Sequence, residues 1–517
     1  MRPQAPLVLF FAEMYFLYLS AHNTIKREKG HITAMLEKEL EKNVVNIRAM
    51  MRGSSDLTVK YAKAGGVDIC ILSCDGQIDV TRLAELVYRP LSELTGELTA
   101  ERLSAMIGGE LLIACDEKPV TTAEDVIGAV LNGFCAVLID GCDKGYAVGL
   151  QGFETRAVTQ PENHRNIRGA REGFVEALHT NMSLVRRRVK SPALSFRTMQ
   201  IGGISKTEIC VCAMEGRTDK ALLRTVTDKL ESLPLELILE SGFVQPFLEK
   251  RHPLFSEVGA TERPDTFVSK LYEGRIGVII DGSPFALYVP KLFSENFIML
   301  DDYVEKPVFA FFIRLIRYTA FLIAILLPGF YAALANFHPE LIPDPLLRNL
   351  AAAEALTPYS VLTECVILDL FYEIMREAGL RLPSNIGHAV SIVGGIVIGD
   401  IVVSAGLVGA PMLLTIAIAS ISGYIVSDLN KQISLLRFVF IVLGGLFGLF
   451  GLTIGMFMLI TSACSLDSYG VPFTSPLSPF SFKGMRDTLI RADWHVLGRS
   501  EPEIFEMNGA EVRGDEG

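Results

Sequence analysis

The sequence predicts an α/β head of two mixed subdomains followed by an α-helical transmembrane domain of about four spans. Three observations carry this. Half of the 517 residues are hydrophobic and only 21% are charged, with a mean hydropathy of +0.35; soluble chains carry about a quarter charged residues. The charge is uneven, lying mostly before residue 307 and after 466. Between these limits stand uncharged runs at 318–337, 401–427 and 438–466, each long enough to span ~30 Å of hydrocarbon. A formal charge of −11 repels a phosphate backbone, so no nucleic-acid partner is expected.

The chain divides into an N-terminal segment and helix (1–54), a first α/β subdomain (55–155), a basic linker helix with a second α/β subdomain (156–306), a helical membrane domain (307–466) and a tail (467–517). Residues 5–20 are apolar apart from Glu13, a pattern between a signal peptide and a short anchor, or the product of a mis-assigned start. Residues 25–51 have the pattern of a charged amphipathic helix. Strands are expected at 67–73, 109–114, 136–139, 145–150, 207–213 and 276–280, and helices at 81–89, 122–132, 170–187, 219–231 and 266–272. Ile139-Asp-Gly-Cys142 and Ile280-Asp-Gly-Ser283 are strand-to-turn signals. Their recurrence hints at a repeated architecture.

Nine scattered cysteines, at 70, 74, 115, 135, 142, 210, 212, 365 and 464, lack the paired spacing of a zinc site and suit a reducing compartment. Cys210 and Cys212 share one face of a strand and read as small buried hydrophobes.

In the membrane part, 358–380 is an apolar helix punctuated by Glu364, Asp369, Glu373, Arg376 and Glu377. It lies in the interface or spans while facing other helices. Lys306, Arg314 and Arg317 open the first span, and Lys483, Arg486 and Arg491 follow the last. The positive-inside rule then places head and tail in the cytoplasm, which requires an even number of spans. Two groupings give four: either 358–380 spans and 389–427 is one bent helix, or 358–380 lies flat and Gly409-Ala-Pro411 turns a hairpin.

No arrangement for catalysis, cofactor binding or metal ligation is found, so no enzyme is expected. The membrane helices offer more. Asp400 is a lone acid in a long apolar stretch, and a mid-bilayer carboxylate costs roughly 3 kcal/mol unless it faces water or a partner. It reads as a pore-lining group, or as the partner of Arg437 or Lys431. Ser391, Gly395, Ile398 and Val402 fall at helical spacing beside it and complete the pore-lining candidates. Gly395 and Gly399 make a Gly-x-x-x-Gly step, and Gly444, Gly448, Gly451 and Gly455 recur along one helix face. Such faces pack helices closely, within one subunit or around an oligomer axis. In the head, Arg165, Arg168, Arg171, Arg186, Arg187, Arg188 and Lys190 cluster. They read as a solvated surface or as a contact with lipid headgroups or a neighbouring subunit.

Several runs resemble one family. They are Ile167-Arg-Gly-Ala-Arg-Glu-Gly-Phe-Val-Glu-Ala-Leu-His-Thr-Asn-Met-Ser-Leu-Val-Arg-Arg-Arg-Val-Lys190, Thr261-Glu-Arg-Pro-Asp265, Leu271-Tyr-Glu-Gly-Arg275 and Val278-Ile-Ile-Asp-Gly-Ser-Pro284. In the membrane part, Arg376 to Pro383, Ile386 to Asp400, Ala405 to Pro411 and Val471 to Pro479 continue the match. Together they resemble the A subunits of GerA-type spore germinant receptors, and also the related stage V sporulation AF proteins. Ala170 stands where the family commonly has Pro. The resemblance implies a spore inner-membrane protein that works with a transporter-like B subunit and a C-subunit lipoprotein. It further implies a homo-oligomer, a pentamer by family precedent, acting as a ligand-gated cation channel that triggers germination. A non-conducting scaffold of the germination complex is the alternative.

Overall fold

The computed structural model describes residues 35–112, 116–152, 170–250, 254–381, 401–482 and 484–497. Its head is built from one unit used twice. The first unit runs α1 (Leu40–Met50), β1 (Leu57–Ala64), β2 (Val67–Cys74), two helical runs α2 (80–92) and α3 (100–111), then β3 (Glu117–Val120), α4 (Ala123–Leu131), β4 (Phe134–Ile139) and β5 (Gly145–Gly149). The second runs α5 (Leu178–Arg188), β6 (Leu194–Ile201), β7 (Thr207–Met214), α6 (Lys220–Glu231), α7 (Ser241–Leu248), β8 (Gly259–Thr261), α8 (Pro264–Tyr272), β9 (Ile276–Ile280) and β10 (Ala286–Val289). The strand orders are β1-β2-β4-β5-β3 and β6-β7-β9-β10-β8, and every pairing is antiparallel.

Side chains two apart on a strand share a face, and both faces of the inner strands are covered. On β2, Cys70, Leu72 and Cys74 pack under α1 and α4, while Ile69 and Ile71 pack under α2 and α3. On β7, Cys210, Cys212 and Met214 pack under α5 and α8, and Ile209 and Val211 under α6 and α7. Each unit is therefore three layers deep. The cysteines of β2, β4 and β7 lie buried in these layers as small core side chains.

The two units share their polar joints as well. The Leu40 N–H donates to Asp140 and the Leu178 N–H to Asp281, each at 3.0 Å. The Asn43 amide clasps the backbone of Glu37, as Asn181 clasps that of Val175. The Asp-Gly turns thus anchor the start of the helix that opens each unit. This is the physical content of the repeated turn signal.

Three elements differ from the sequence expectations. Residues 107–111 are helical, where a strand was expected at 109–114; Leu103, Ile107 and Leu112 bury one face on the sheet, and the Tyr146 ring lies where a side chain on Gly108 would go. The helix expected over 170–187 begins only at Leu178, because Asn181 and Glu262 hold residues 174–175 in extended backbone hydrogen bonds. The helix expected over 25–51 begins at Leu40, with Met35 bridged to Thr122; residues 25–34 lie outside the described residues. Strands β1, β3, β6, β8 and β10 are not among the expected strands: β1 and β6 carry charged or polar residues among their apolar ones, and β3, β8 and β10 are only three or four residues long.

Between the units lies Arg186, fully buried. Its Nε donates to Asp56 at 2.6 Å, and Nη2 reaches Asp56, Ser54 and the Leu194 carbonyl at 3.0–3.2 Å. Nη1 donates to the Ser191 carbonyl at 3.0 Å, and the guanidinium lies 4.7 Å from the Phe196 ring centre.

Four helical segments follow: α9 (Pro307–Phe337), α10 (Asp344–Glu354) with α11 (Val361–Arg381), α12 (Ala410–Tyr424) and α13 (Asn430–Cys464). By length and composition, 307–337 and 427–464 qualify as membrane spans. The sequence predicts a single span over 438–466, but the structure folds this run back on itself. Gly448 has φ +61° and ψ −150°, a conformation open to glycine. A side chain on Gly455 would meet Leu443 at 2.7 Å and Phe440 at 2.9 Å. In a straight helix, positions 443 and 455 would stand about 18 Å apart. Arms 430–447 and 449–464 are each roughly 25 Å long. Both outer ends reach the head, where Asp428 pairs with Lys291 at 3.5 Å and the Phe473 N–H donates to Leu466 as Phe293's does to Phe473.

Two outcomes follow. Arg186→Ala removes a guanidinium on which Asp56, Ser54 and two carbonyls depend, and should cost about 3–5 kcal/mol, read as a lowered urea midpoint for head unfolding in the detergent-solubilised chain. A chain carrying Leu443→Cys and Gly455→Cys should close an intramolecular link with a short bis-maleimide. Absence of that link in folded protein means a straight helix.

Candidate functional site between head and membrane helices

The first turns of α9 carry the two arginines expected to mark the cytoplasmic edge. They are buried rather than lipid-facing. Arg314 donates to Asp302 at 3.1 Å and to the carbonyls of Asp487 and Thr488 at 2.7 and 3.2 Å. Arg317 donates to Asp302 at 2.6 Å and to the Phe297 carbonyl at 3.0 Å. The Tyr303 hydroxyl donates to Asp487 at 2.7 Å, and Arg491 donates to the carbonyls of Glu305 and Tyr303. Burial of Asp487 raises its carboxyl above the usual range, against the pull of Arg314. One acid of the head, two bases of the helix and the returning tail therefore form one joint. Around it Phe255, Phe293, Phe297, Phe321 and Phe473 make an aromatic cluster, with Tyr318 stacked on Phe297 at 4.0 Å.

Deeper in the helices, Arg437 is 1% exposed. It donates to Asp369 at 2.5 Å, to Glu373 at 2.6 Å and to Ser420 at 3.4 Å. Glu373 also accepts from Arg376 at 2.6 Å. Asp369 and Glu373 thus face another helix and hold Arg437, whereas Glu377 is exposed and pairs with Arg381 of its own helix. Helices α9 and α13 meet backbone to backbone at Gly329 and Gly444, where either glycine's side chain would overlap the opposite backbone. Gly445 lies under Leu362, Gly448 makes the fold-back, and Gly451 and Gly455 face the opposite arm of their own hairpin. The glycine series therefore packs surfaces within this chain.

Of the pore-lining candidates, Ser391, Gly395, Ile398 and Asp400 lie outside the described residues, as does the packing candidate Gly399. Val402 packs half-buried beside Ala332, Val361 and Cys365. Arg168 also lies outside the described residues, and Arg171 is exposed. Arg187 and Arg188 both pair with Glu172. Arg186, a candidate for a surface contact, is instead the internal clamp described above, because Asp56 neutralises it away from water.

Comparison with known proteins assigns the chain. Residues 45–502 match the family described as Bacillus/Clostridium GerA spore germination protein. The chain belongs to the GerA family. It is 33% identical over 466 residues to spore germination protein KA of Bacillus subtilis, covering 89% of this chain and 86% of that one. It is 32% identical to spore germination protein A1 of the same organism, covering 78% and 87%, and 30% identical to spore germination protein GerLA of Bacillus cereus, covering 92% and 98%. The N-terminal domain of the A subunit of the Bacillus megaterium spore germinant receptor GerK3 aligns at 24% identity and a TM-score of 0.41, over 51% of this chain and 99% of that one.

The runs that resemble the GerA family turn out to be joints. In Thr261-Glu-Arg-Pro-Asp265, Arg263 pairs with Asp265 at 2.5 Å and donates to the Ala170 carbonyl at 3.0 Å. In Leu271-Tyr-Glu-Gly-Arg275, buried Arg275 holds Glu295 at 2.6 Å and also pairs with Glu273. The sequence reading missed Asp56, Asp302, Asp369 and Asp487 as partners of Arg186, Arg314, Arg317 and Arg437. Asp56, Asp369 and Asp487 stand 130, 68 and 173 residues from their arginines, and Asp302 stands 12 residues before Arg314 in a separate short helix, so none gives a local signal.

The head meets the tail at a second place. Glu257 is 1% exposed, and among the described residues its carboxylate accepts only a long 3.4 Å bond from the Lys250 N–H. Nearby, Lys229 donates to the Tyr469 hydroxyl, which donates to the Leu248 carbonyl at 2.6 Å. Burial pushes the Glu257 carboxyl above its ordinary value and the Lys229 ammonium below its own. A carboxyl raised on folding binds its proton more readily in the folded chain, so its contribution to stability grows as pH falls through the folded value towards about 4.5. Glu257→Gln should therefore stabilise the chain at neutral pH and flatten this part of the profile, measured as melting temperature against pH. An unchanged profile would mean that Glu257 is solvated in the folded protein.

Proposed function

We propose that the chain is the A-type subunit of a nutrient germinant receptor in the spore inner membrane. In this reading it oligomerises, as a pentamer by family precedent, into a ligand-gated cation channel. The observation that carries it is the joint of Asp302, Arg314, Arg317 and Asp487, which ties the head, the first long helix and the tail into one mechanical unit. A signal received by the head through a transporter-like B subunit and a C-subunit lipoprotein then has a stiff path to the helices. Head and tail face the cytoplasm, about four segments cross the bilayer, and the stripe of Ser391, Gly395, Ile398, Asp400 and Val402 faces the pore. A partner opens such a channel only by binding its open form more tightly.

The test is cation flux from liposomes containing the full chain, with Asp400→Asn alongside. Leak through the wild type that falls at least several-fold in the variant supports a channel with Asp400 on its path. Correctly inserted, oligomeric protein that leaks nothing, alone and with its partner subunits and nutrient, overturns conduction and favours a scaffold of the germination complex.

A further inference from the structure

Because Arg314 and Arg317 are buried against the head and the tail, the outward face of α9 is apolar well before residue 318. Val308, Phe309, Phe312, Leu315 and Ile316 are all exposed. Helix α9 is long and apolar enough to cross a membrane. From Val308 to Phe337 it measures about 45 Å, the thickness of a bilayer with its headgroup layers rather than of its hydrocarbon alone. The base of α9 around Val308 therefore lies at headgroup level.

The tail brings apolar surface of its own to that level. Trp494, the chain's single tryptophan, donates its indole N–H to the Tyr303 carbonyl at 3.2 Å. Its ring centre lies 6.0 Å from that of Tyr303 and 5.3 Å from the Arg491 guanidinium. Arg491 in turn holds the carbonyls of Tyr303 and Glu305, just ahead of Pro307, where α9 starts. Although tied down in this way, the Trp494 side chain is 57% exposed. Upstream, the tail is fixed at Ser475, whose carbonyl accepts from Ser294, and at Asp487 on Arg314. Between these points it exposes Leu477, Phe480 and Phe482, the two phenylalanine rings packed edge to face.

Three aromatic rings and a leucine exposed on so short a segment are costly in water. An indole with its N–H bonded and its ring uncovered is the side chain that a membrane interface favours. The lipid that covers Val308 and Phe309 already stands at this level, so one continuous apolar surface runs from α9 onto Trp494.

We propose that residues 477–494 form an interfacial strap in the headgroup layer of the leaflet that α9 enters, with Trp494 as its anchor and Phe480 and Phe482 dipping towards the acyl chains. This rests on the reading that α9 crosses the bilayer, and is independent of conduction.

The test is tryptophan fluorescence of the full chain in lipid nanodiscs, with lipids brominated near either end of the acyl chain and with iodide in the water. Trp494 should be quenched more by bromines near the carbonyl end than by those near the methyl end, and several-fold less by iodide than free tryptophan is. Moving the probe with Trp494→Phe and Phe482→Trp should give the same pattern. Trp494→Phe with Leu322→Trp places the probe on an exposed position midway along α9, where the deep bromines should quench more. Iodide quenching of Trp494 or of the Phe482→Trp probe as strong as that of free tryptophan overturns the strap, while the Leu322→Trp probe still reports a spanning helix. Failure of the bromines to quench even that probe overturns the spanning reading and the strap together. Shielding of Trp494 from iodide without quenching by bromines overturns the lipid assignment in favour of a protein cover.

Discussion

Gly448 determines where the last part of the chain goes. Its backbone conformation turns the final apolar run through a tight fold-back, so residue 464 ends near the level at which residue 430 began. Without that turn, the tail would emerge at the far end of the helices. Asp487 could not then reach Arg314, and Phe473 could not close the aromatic cluster around Phe293. Gly329 and Gly444 serve the same end, since only bare backbones let α9 and the first arm of α13 run so close.

The buried arginines share one chemistry. A guanidinium removed from water loses several kcal/mol of solvation, which is recovered only when its planar set of donors is matched. Arg186, Arg314 and Arg437 meet that demand with carboxylates, Arg186 and Arg314 with backbone carbonyls as well, while Arg275 pairs both terminal nitrogens with Glu273 and Glu295 and leaves Nε without a partner among the described residues. Loss of one partner strands the other, so these pairs specify geometry more than they add stability. The duplicated head makes this visible. Arg48 occupies in α1 the place that Arg186 holds in α5, counted from Asn43 and Asn181, yet Arg48 is exposed. Only the second copy of the unit has a neighbour offering Asp56.

What could be read from the sequence follows from the range of the interaction. Strands β2, β4, β7 and β9 are covered on both faces, and their unbroken apolar runs announce them. Strands β1 and β6 sit at sheet edges, where exposed residues such as Lys60, Lys63 and Arg197 break the apolar run that would announce them. The Asp-Gly turns were legible as turns, but their bonds to Leu40 and Leu178 span about a hundred residues. The repeat has a sequence trace in Leu40-x-x-Asn43 and Leu178-x-x-Asn181. The glycine series of α13 was legible as a packing face. That one of its members reverses the chain was not, because φ is absent from a pattern of residue types.

The two ionic centres differ in what they allow. Arg437 ties α11 and α13 to each other inside the helix bundle, and both of its acids lie on one helix, Asp369 one turn before Glu373. Both acids are engaged at once, so a slide of α11 by one turn would strand one of them away from the guanidinium. The head joint is shared the other way, one acid between two bases. Asp302 is shared by Arg314 and Arg317, which stand three residues apart on α9, and Asp487 already occupies the far side of Arg314. Motion of the head must therefore carry the base of α9 with it, while Arg437 holds α11 to α13 in the bundle above.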